Sequence, residues 1–450
     1  MTTQSQARIV SWSTAGEEVC ASAARISTTR GDALTLFEKA RDNPGNQDLI
    51  GKVLRSGHRS VIEHAVFSIA LQNVSVFVEQ YFIESRLASF TVKSRRYVDF
   101  SSLGYYIPPA LAGKELTEYR RYMDGLFAAY QRLLDADVPK EDARFLLPYA
   151  FCSNFYCTLN ARELVRLIRS IRCGRGRNIP ELRDIADQLA DQLAKLFPAL
   201  ADQLEVAPED PSPAADPVPL FREKPVWVTE ADAGAAELLA APANPEGLLE
   251  RAYRAAHPQG DAPFSAEALL ASSRPRELEQ LSYTFAVSDI SLAGITHLVR
   301  HRMQSVIVPP IQSVDHSRFI LPDTIRNNPA GREIYQTALT EANCAGQALC
   351  GNPALAPYGC YFATAGNMMD VMTTLNAREL ELMIRLRSCT RAQWEIRHIA
   401  VGLLRLLREQ YPPLFDRFGP SCYLTGRCPE GHMSCGRQEE MKTIFGGKLS

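Results

Sequence analysis

Residues 374–397, TLNARELELMIRLRSCTRAQWEIR, gather side chains suited to ligand chemistry. Asn376 and Arg387 stand eleven residues apart, about three helical turns. On one helix they would lie near one face, roughly 16 Å apart along the axis. Such a pair suits a long flat ligand, while the structural alternative is an amphipathic helix with an exposed basic face. A second concentration is VRHRMQS at 299–305, where Arg300, His301 and Arg302 cluster. Guanidinium groups so close together suit a pyrophosphate, although an isolated Arg-His-Arg is also a common surface cluster. A third is the tail SCYLTGRCPEGHMSCG, with Cys422, Cys428, His432 and Cys435. Three thiols and an imidazole could hold zinc tetrahedrally, but the spacing matches no standard finger, and reduced thiols in a Gly/Pro-rich cap are the alternative.

The opening stretch must be positioned by the elements around it. Leu375, Leu382 and Leu386 recur at helical spacing with Glu379 on the same stripe, and Thr374 or Asn376 would cap the start. TLNAREL occurs twice, at 158–164 and 374–380, so the chain reads as two related halves. In the first half, 8–12 reads as a strand, 17–28 as a helix, 32–57 as two helices, and 60–71 as a strand. Residues 76–86 read as a helix, 89–97 as a polar loop, and 116–136, 140–156, 159–172 and 180–196 as helices. In the second half, 225–229 and 281–287 read as strands. Residues 231–239, 248–257, 290–302, 333–350, 369–386 and 392–410 read as helical. The expected organisation is a first repeat at 1–205, a Pro-rich linker at 206–222, a second repeat at 223–419 and a Cys-rich tail at 420–450.

Composition narrows the classes. The 450 residues are enough for two domains, with 46% hydrophobic residues to fill their cores. A net charge of −2 gives no bias toward nucleic acid, so any phosphate must meet local arginines. No apolar run reaches membrane-spanning length, and the N-terminus reads as no signal peptide. Eleven scattered cysteines suggest a reducing cytoplasm, most of them buried thiols.

Together VRHRMQS and the 374–397 stretch resemble the flavin-dependent thymidylate synthase family. That family carries Arg-His-Arg…Ser…Asn-Glu…Ser…Arg-Tyr, then Asn-x-Arg, an Arg nine residues on, and Ala-Gln-x-Glu-Ile. Arg300, His301, Arg302, Ser305, Asn376, Arg378, Arg387 and 392–396 fit in the second half. The first half fits elsewhere: AARIS at 23–27, His58, Ser60, Glu63 and His64 in SGHRSVIEH, and Arg86, Ser89, Ser94, Arg96 and Tyr97. Its Ala143-Arg144…Leu147-Pro148 matches a further family segment. The halves depart from the pattern in complementary ways. Glu84-Ser85 replaces the Arg-His opening, and Ile171 stands where Arg387 does. Pro309 and Pro310 interrupt the second half's substrate loop. Val92 and Val308 occupy the place of the family's glutamate. No Gly-rich dinucleotide fingerprint is present, and the family uses none.

The resemblance implies an α+β protein of two tandem repeats, each with a central antiparallel or mixed sheet and long helices. It implies FAD held by Arg300, His301, Arg302, Asn376 and Arg378, with His58, Ser60 and Ser27 from a neighbouring lobe. It implies a pyrimidine nucleotide on Ser94, Arg96, Arg144 and Arg300, with Arg387 as catalytic group. NADPH and methylenetetrahydrofolate would be co-substrates, and two chains would rebuild a four-lobed assembly as a homodimer, each site composite. The expected reaction is reductive C5-methylation of dUMP type. Alkylation of another nucleotide or a specialised-metabolite precursor, and a non-catalytic flavin- or nucleotide-binding scaffold, remain alternatives.

Overall fold

The computed structural model describes residues 4–96, 98–100, 103–205, 219–259, 264–447 and 449. Most of the expected linker, residues 206–218, and Tyr97 lie outside the described residues. The chain divides into two compact units, Met1–Pro219 with Thr337–Thr364, and Leu220–Gln336 with Ala365–Ser450. Residues 337–364, which follow most of the second repeat's strands in sequence, therefore cluster with the first unit.

The first unit is built on β1 (Gln6–Trp12), β2 (Val66–Ser75), β3 (Ala88–Val92) and β4 (Cys152–Asn160). Their order is β1-β2-β4-β3, with every neighbouring pair antiparallel. Alternation decides the faces. On β4, Phe155, Cys157 and Leu159 are buried while Tyr156 points out at 59% exposure. Pro180–Leu196 packs on β1 and Ala161–Arg172 on the end of β4, while Gly16–Ile26, Asn46–Arg55 and the long Gly113–Asp135 helix complete the unit. The buried Glu181 locks this unit. Its carboxylate accepts from Ser5 Oγ at 2.7 Å, from the backbone N–H and hydroxyl of Ser75 at 2.8 and 2.6 Å, and from Tyr361 Oη at 2.8 Å.

The second unit contains β5 (Val226–Thr229), β6 (Ala235–Ala240), β7 (Ser282–Ser291), β8 (Ser305–Ile307), β9 (Arg318–Leu321) and β10 (Met368–Asn376). The order β6-β7-β10-β8 repeats that of the first unit, again antiparallel throughout. β5 and β9 add a parallel pair. The likeness extends to single groups. Thr284 and Thr374 share a hydroxyl bond of 2.9 Å where Ser68 and Thr158 share one of 2.9 Å. Asn73 and Asp289, each at φ 54°, take the left-handed conformation just before the helix-capping Ser75 and Ser291. Glu395 accepts from Ser291 N–H and Oγ, both at 2.6 Å, as Glu181 does from Ser75. A Cβ on Gly294 would lie 2.7 Å from Glu395 Oε2, so only glycine allows this approach.

Several expected elements change. Residues 152–160 and 368–376 are strands where helix was expected, because TLNAREL straddles a strand end and a helix start. The β-branched and aromatic residues before each TLN alternate in burial, which outweighs the helix formers after it. The expected 140–156 helix shrinks to Lys140–Ala143 and a 3₁₀ turn, Arg144–Leu146. The expected loop at 89–97 begins as β3, paired to β4. The 60–71 strand begins only at Val66, after a 3₁₀ segment Arg59–His64. β6 replaces most of the expected 231–239 helix. Helix Ala377–Arg387 buries Leu380, Met383 and Ile384, so the Leu382–Leu386 stripe is its exposed side. All eleven cysteines are free, but only Cys20, Cys152, Cys157, Cys360 and Cys422 are buried, fewer than expected. No described helix is long and apolar enough to cross a membrane.

Candidate functional site

The two units bring together different groups, and the second unit holds the expected catalytic one. Asn376 ends β10 and caps the helix Ala377–Arg387, its Oδ1 accepting from Glu379 N–H at 2.9 Å. Its amide NH₂ makes no hydrogen bond among the described residues. The register of the cap then sets the direction of the next side chains. Glu379 turns inward, and two turns further along the helix Arg387 reaches the same neighbour, His301. The Nδ1 of His301 lies 3.0 Å from Glu379 Oε1, and Arg387 Nε–H donates to His301 Nε2 at 3.0 Å.

These contacts set the tautomer. With Nε2 accepting from Arg387, the ring proton resides on Nδ1 and is donated to Glu379. His301 is 4% exposed. Burial pushes its pKa below the ordinary 6.5 and the Arg387 charge adds to that, against the pull of Glu379. His301 therefore acts as a neutral bracket that orients Arg387. The loop bearing it is tied to the sheet by Gln304, which donates to Leu298 O at 2.6 Å and accepts from Thr373 Oγ1 at 2.8 Å. Arg300 and Arg302 flank His301 on this loop and are exposed.

Beside the same helix lies a cavity of about 590 Å³, lined by Asn376, Arg378, Arg385 and Met303, with Glu279 and Glu379. Its size falls within the range of small-molecule sites. Arg378 is ion-paired to Glu279. Burial pushes the Glu279 carboxyl up, but Arg378 and Arg276 more than reverse this and hold it below the usual range. Amide and guanidinium donors on one wall fit the polar edge and phosphates of a flavin.

In the first unit, Arg96 and Arg144 meet at one residue. Arg96 Nε bonds Glu141 Oε2 at 2.9 Å, and Arg144 Nε donates to Glu141 O at 2.9 Å. Arg144 is 2% exposed, with its guanidinium 5.7 Å from the Phe145 ring centroid. Ser94 lies at the turn before Arg96, whose N–H donates to Ser94 Oγ at 3.4 Å. Ser94, Arg96 and Arg144 thus form one basic cluster. Ser27, at the C-cap of Gly16–Ile26, and His58 and Ser60, at the 3₁₀ segment's start, are exposed elsewhere in that unit.

The tail brings its three thiols together: Cys422 lies within electrostatic reach of Cys428 and Cys435, and also of Cys389. Cys422 is buried and Cys428 and Cys435 half-buried, while His432 projects from an exposed 3₁₀ turn. Among the described residues no group of three or more His, Cys, Asp or Glu is placed to hold a metal. Two participants escape sequence reasoning. Glu379 reads there only as part of a stripe, although it, like Glu163 in the first copy of TLNAREL, sits three residues after a capping Asn. Glu141 carries no signal beyond its place three residues before Arg144.

The chain resembles proteins of one family. The chain is 36% identical over 172 residues to "Flavin-dependent thymidylate synthase" of Geobacter sulfurreducens, covering 37% of this chain and 74% of that protein. It is 32% identical over 196 residues to the protein so named in Clostridium tetani, covering 39% and 78%. Among solved structures, "UMP/dUMP methylase PolB from Streptomyces cacaoi bound with 5-Br dUMP" matches at 26% identity and TM-score 0.37, covering 45% of this chain and 94% of that one. The sequence model described as "Thymidylate synthase complementing protein" matches twice, at residues 8–199 and 237–413. The chain therefore belongs to the thymidylate synthase complementing protein family, as a tandem and divergent member.

Proposed function

We propose that the protein is a flavin-dependent enzyme that methylates C5 of a pyrimidine nucleotide, in the manner of dUMP conversion to dTMP. The observation that carries this reading is the Glu379–His301–Arg387 chain, with both bonds to the imidazole at 3.0 Å. A guanidinium held by a neutral, buried imidazole keeps its full positive charge. It can face a pyrimidine carbonyl and imide, stabilising the negative charge that develops as C5 attacks a methylene carbon. Methylenetetrahydrofolate would supply that carbon, its C–N bond breaking to release tetrahydrofolate, and the C5 proton would leave to solvent. When bound, reduced FAD would supply the hydride that completes the methyl group, and NADPH would restore the reduced cofactor.

Asn376, Arg378, Arg300 and Arg302 would hold the flavin, with His58, Ser60 and Ser27 as further contacts. Ser94, Arg96 and Arg144 would hold the nucleotide phosphate. The family's glutamate position holds Val92, on β3, and Val308, after β8. A valine side chain can neither donate nor accept a hydrogen bond. This departure favours a second reading, that the acceptor is a pyrimidine nucleotide other than dUMP.

Purified protein should be yellow or take up FAD on reconstitution. Release of tritium from 5-tritiated dUMP, against the same assay with UMP, identifies the acceptor. Arg387→Ala should lower turnover by about a hundredfold or more while leaving the melting temperature nearly unchanged. Unchanged turnover would reject the reading.

A further inference from the structure

The Cys-rich tail and the turn after the Arg387 helix meet at their sulfurs. Cys389 lies two residues beyond Arg387, just past the end of Ala377–Arg387. Cys422 sits in a short helix, Ser421–Thr425, which Gly426 ends in the left-handed conformation at φ 67°. Cys428 and Cys435 follow in the chain beyond that turn. Cys422 lies within electrostatic reach of Cys389, Cys428 and Cys435, and Cys389 within reach of Cys428 and Cys435. The side chain of Thr390, next to Cys389, meets the Cys435 sulfur. These are all the cysteines of the second unit, since the others belong to the first. Every one of them is a free thiol.

Two of the sulfurs are held in the same way. Arg391 N–H donates to Cys389 Sγ at 3.5 Å, and Arg437 N–H donates to the Cys435 sulfur, each from two residues further along the chain. Gly436, at φ 71°, shapes the second of these turns. A backbone N–H aimed at sulfur favours the thiolate, which is the form that binds metal.

The arrangement also narrows the metal. Zinc usually takes its cysteines from pairs with about two to four residues between them. Here five residues stand between Cys422 and Cys428, and six between Cys428 and Cys435. The four sulfurs do not close on a single metal ion. An iron–sulfur cluster is held by four cysteine thiolates around its own sulfide core, so they ring a larger body than one ion.

We propose that Cys389, Cys422, Cys428 and Cys435 form a site for an iron–sulfur cluster that fastens the tail to the end of the Arg387 helix. Each thiol gives up its proton on binding, and the iron and sulfide come from outside the chain. The proposal does not rest on the reaction assigned above, because its test reads metal content and not turnover.

Iron and acid-labile sulfide analysis tests it, on the full chain purified without oxygen and reconstituted with ferrous iron and sulfide. The two should be present in equal amounts, about two or four of each per chain. This readout is blind to flavin. Cys389→Ala and Cys435→Ala should each cut bound iron at least about fivefold, whereas His432→Ala should leave it unchanged. If the cysteine variants melt early, alkylation of the native wild type decides. It should spare Cys389, Cys428 and Cys435, and label them once a chelator has removed the iron, while the exposed Cys344 reacts both times. A reconstituted chain without iron and sulfide, one zinc ion on the four thiols, or iron that persists in Cys389→Ala overturns the proposal. So does labelling of these thiols that is the same before and after chelation.

Discussion

His301 shows how one buried side chain can decide a neighbour's chemistry. It must stay unprotonated to accept from Arg387, and burial keeps it so. Its folded pKa lies below the ordinary 6.5, so the unfolded chain takes up the proton first as pH falls. Its contribution to stability is present above about 6.5 and is lost as pH drops through the lowered folded value. Turnover should fall in the same acid window, because a protonated ring repels the guanidinium. His301→Gln removes that titration and loosens Arg387. It should lower kcat by about ten- to a hundredfold with little change in KM, and flatten the acid limb of both the rate and the melting profile. A rate profile identical to that of the wild type would show that the imidazole orients nothing. The sequence displayed Arg387 and His301 openly, since charged residues in a repeated motif are visible without coordinates. That His301 would face Arg387 was not legible, because the pair joins a loop to the far end of a helix, 86 residues apart.

Among elements, the strand–cap–helix unit of TLNAREL is the part duplicated most faithfully. Asn160 and Asn376 each cap a helix, accepting from Glu163 N–H at 3.0 Å and Glu379 N–H at 2.9 Å. The capping role was readable from the residue type, but the strand before it was not. Single-sequence periodicity runs the helix back through the TLN residues, where cross-strand pairing to β2 and β7 in fact decides the conformation. Asn376→Ala should cost about 1 kcal/mol of stability and also weaken flavin binding, whereas Asn160→Ala should cost the same stability and leave flavin binding intact. Urea unfolding with flavin titration separates the two roles. Deeper in the core, Glu181→Leu strands the donors on Ser5, Ser75 and Tyr361. Each unsatisfied donor costs about 1–3 kcal/mol, so this variant should unfold at much lower urea than either cap variant. Burial pushes the Glu181 carboxyl up while the donors around it pull the other way, so Glu181→Gln should be far milder than Glu181→Leu.

At the scale of the whole molecule, the proposed function rests on duplication followed by division of labour. Two family matches and two sheets of the same strand order show a common origin for the halves. Yet Arg387, His301, Asn376 and Arg378 belong to the second unit, and Ser94, Arg96 and Arg144 to the first. If each reacting centre takes its two sets from different chains of a homodimer, subunit exchange exposes it. The chain mass of 50.0 kDa predicts a species of about 100 kDa by sedimentation. Arg387→Ala and Arg96→Ala dimers should each be inactive. Unfolded together and refolded, they should form mixed dimers in which one centre receives both intact sets, while the other receives both lesions. With random pairing half the dimers are mixed, so activity should recover to about a quarter of the wild-type value. A monomer, or a refolded mixture as inactive as its parents, would place both sets of residues on the same chain and leave the duplication without this consequence.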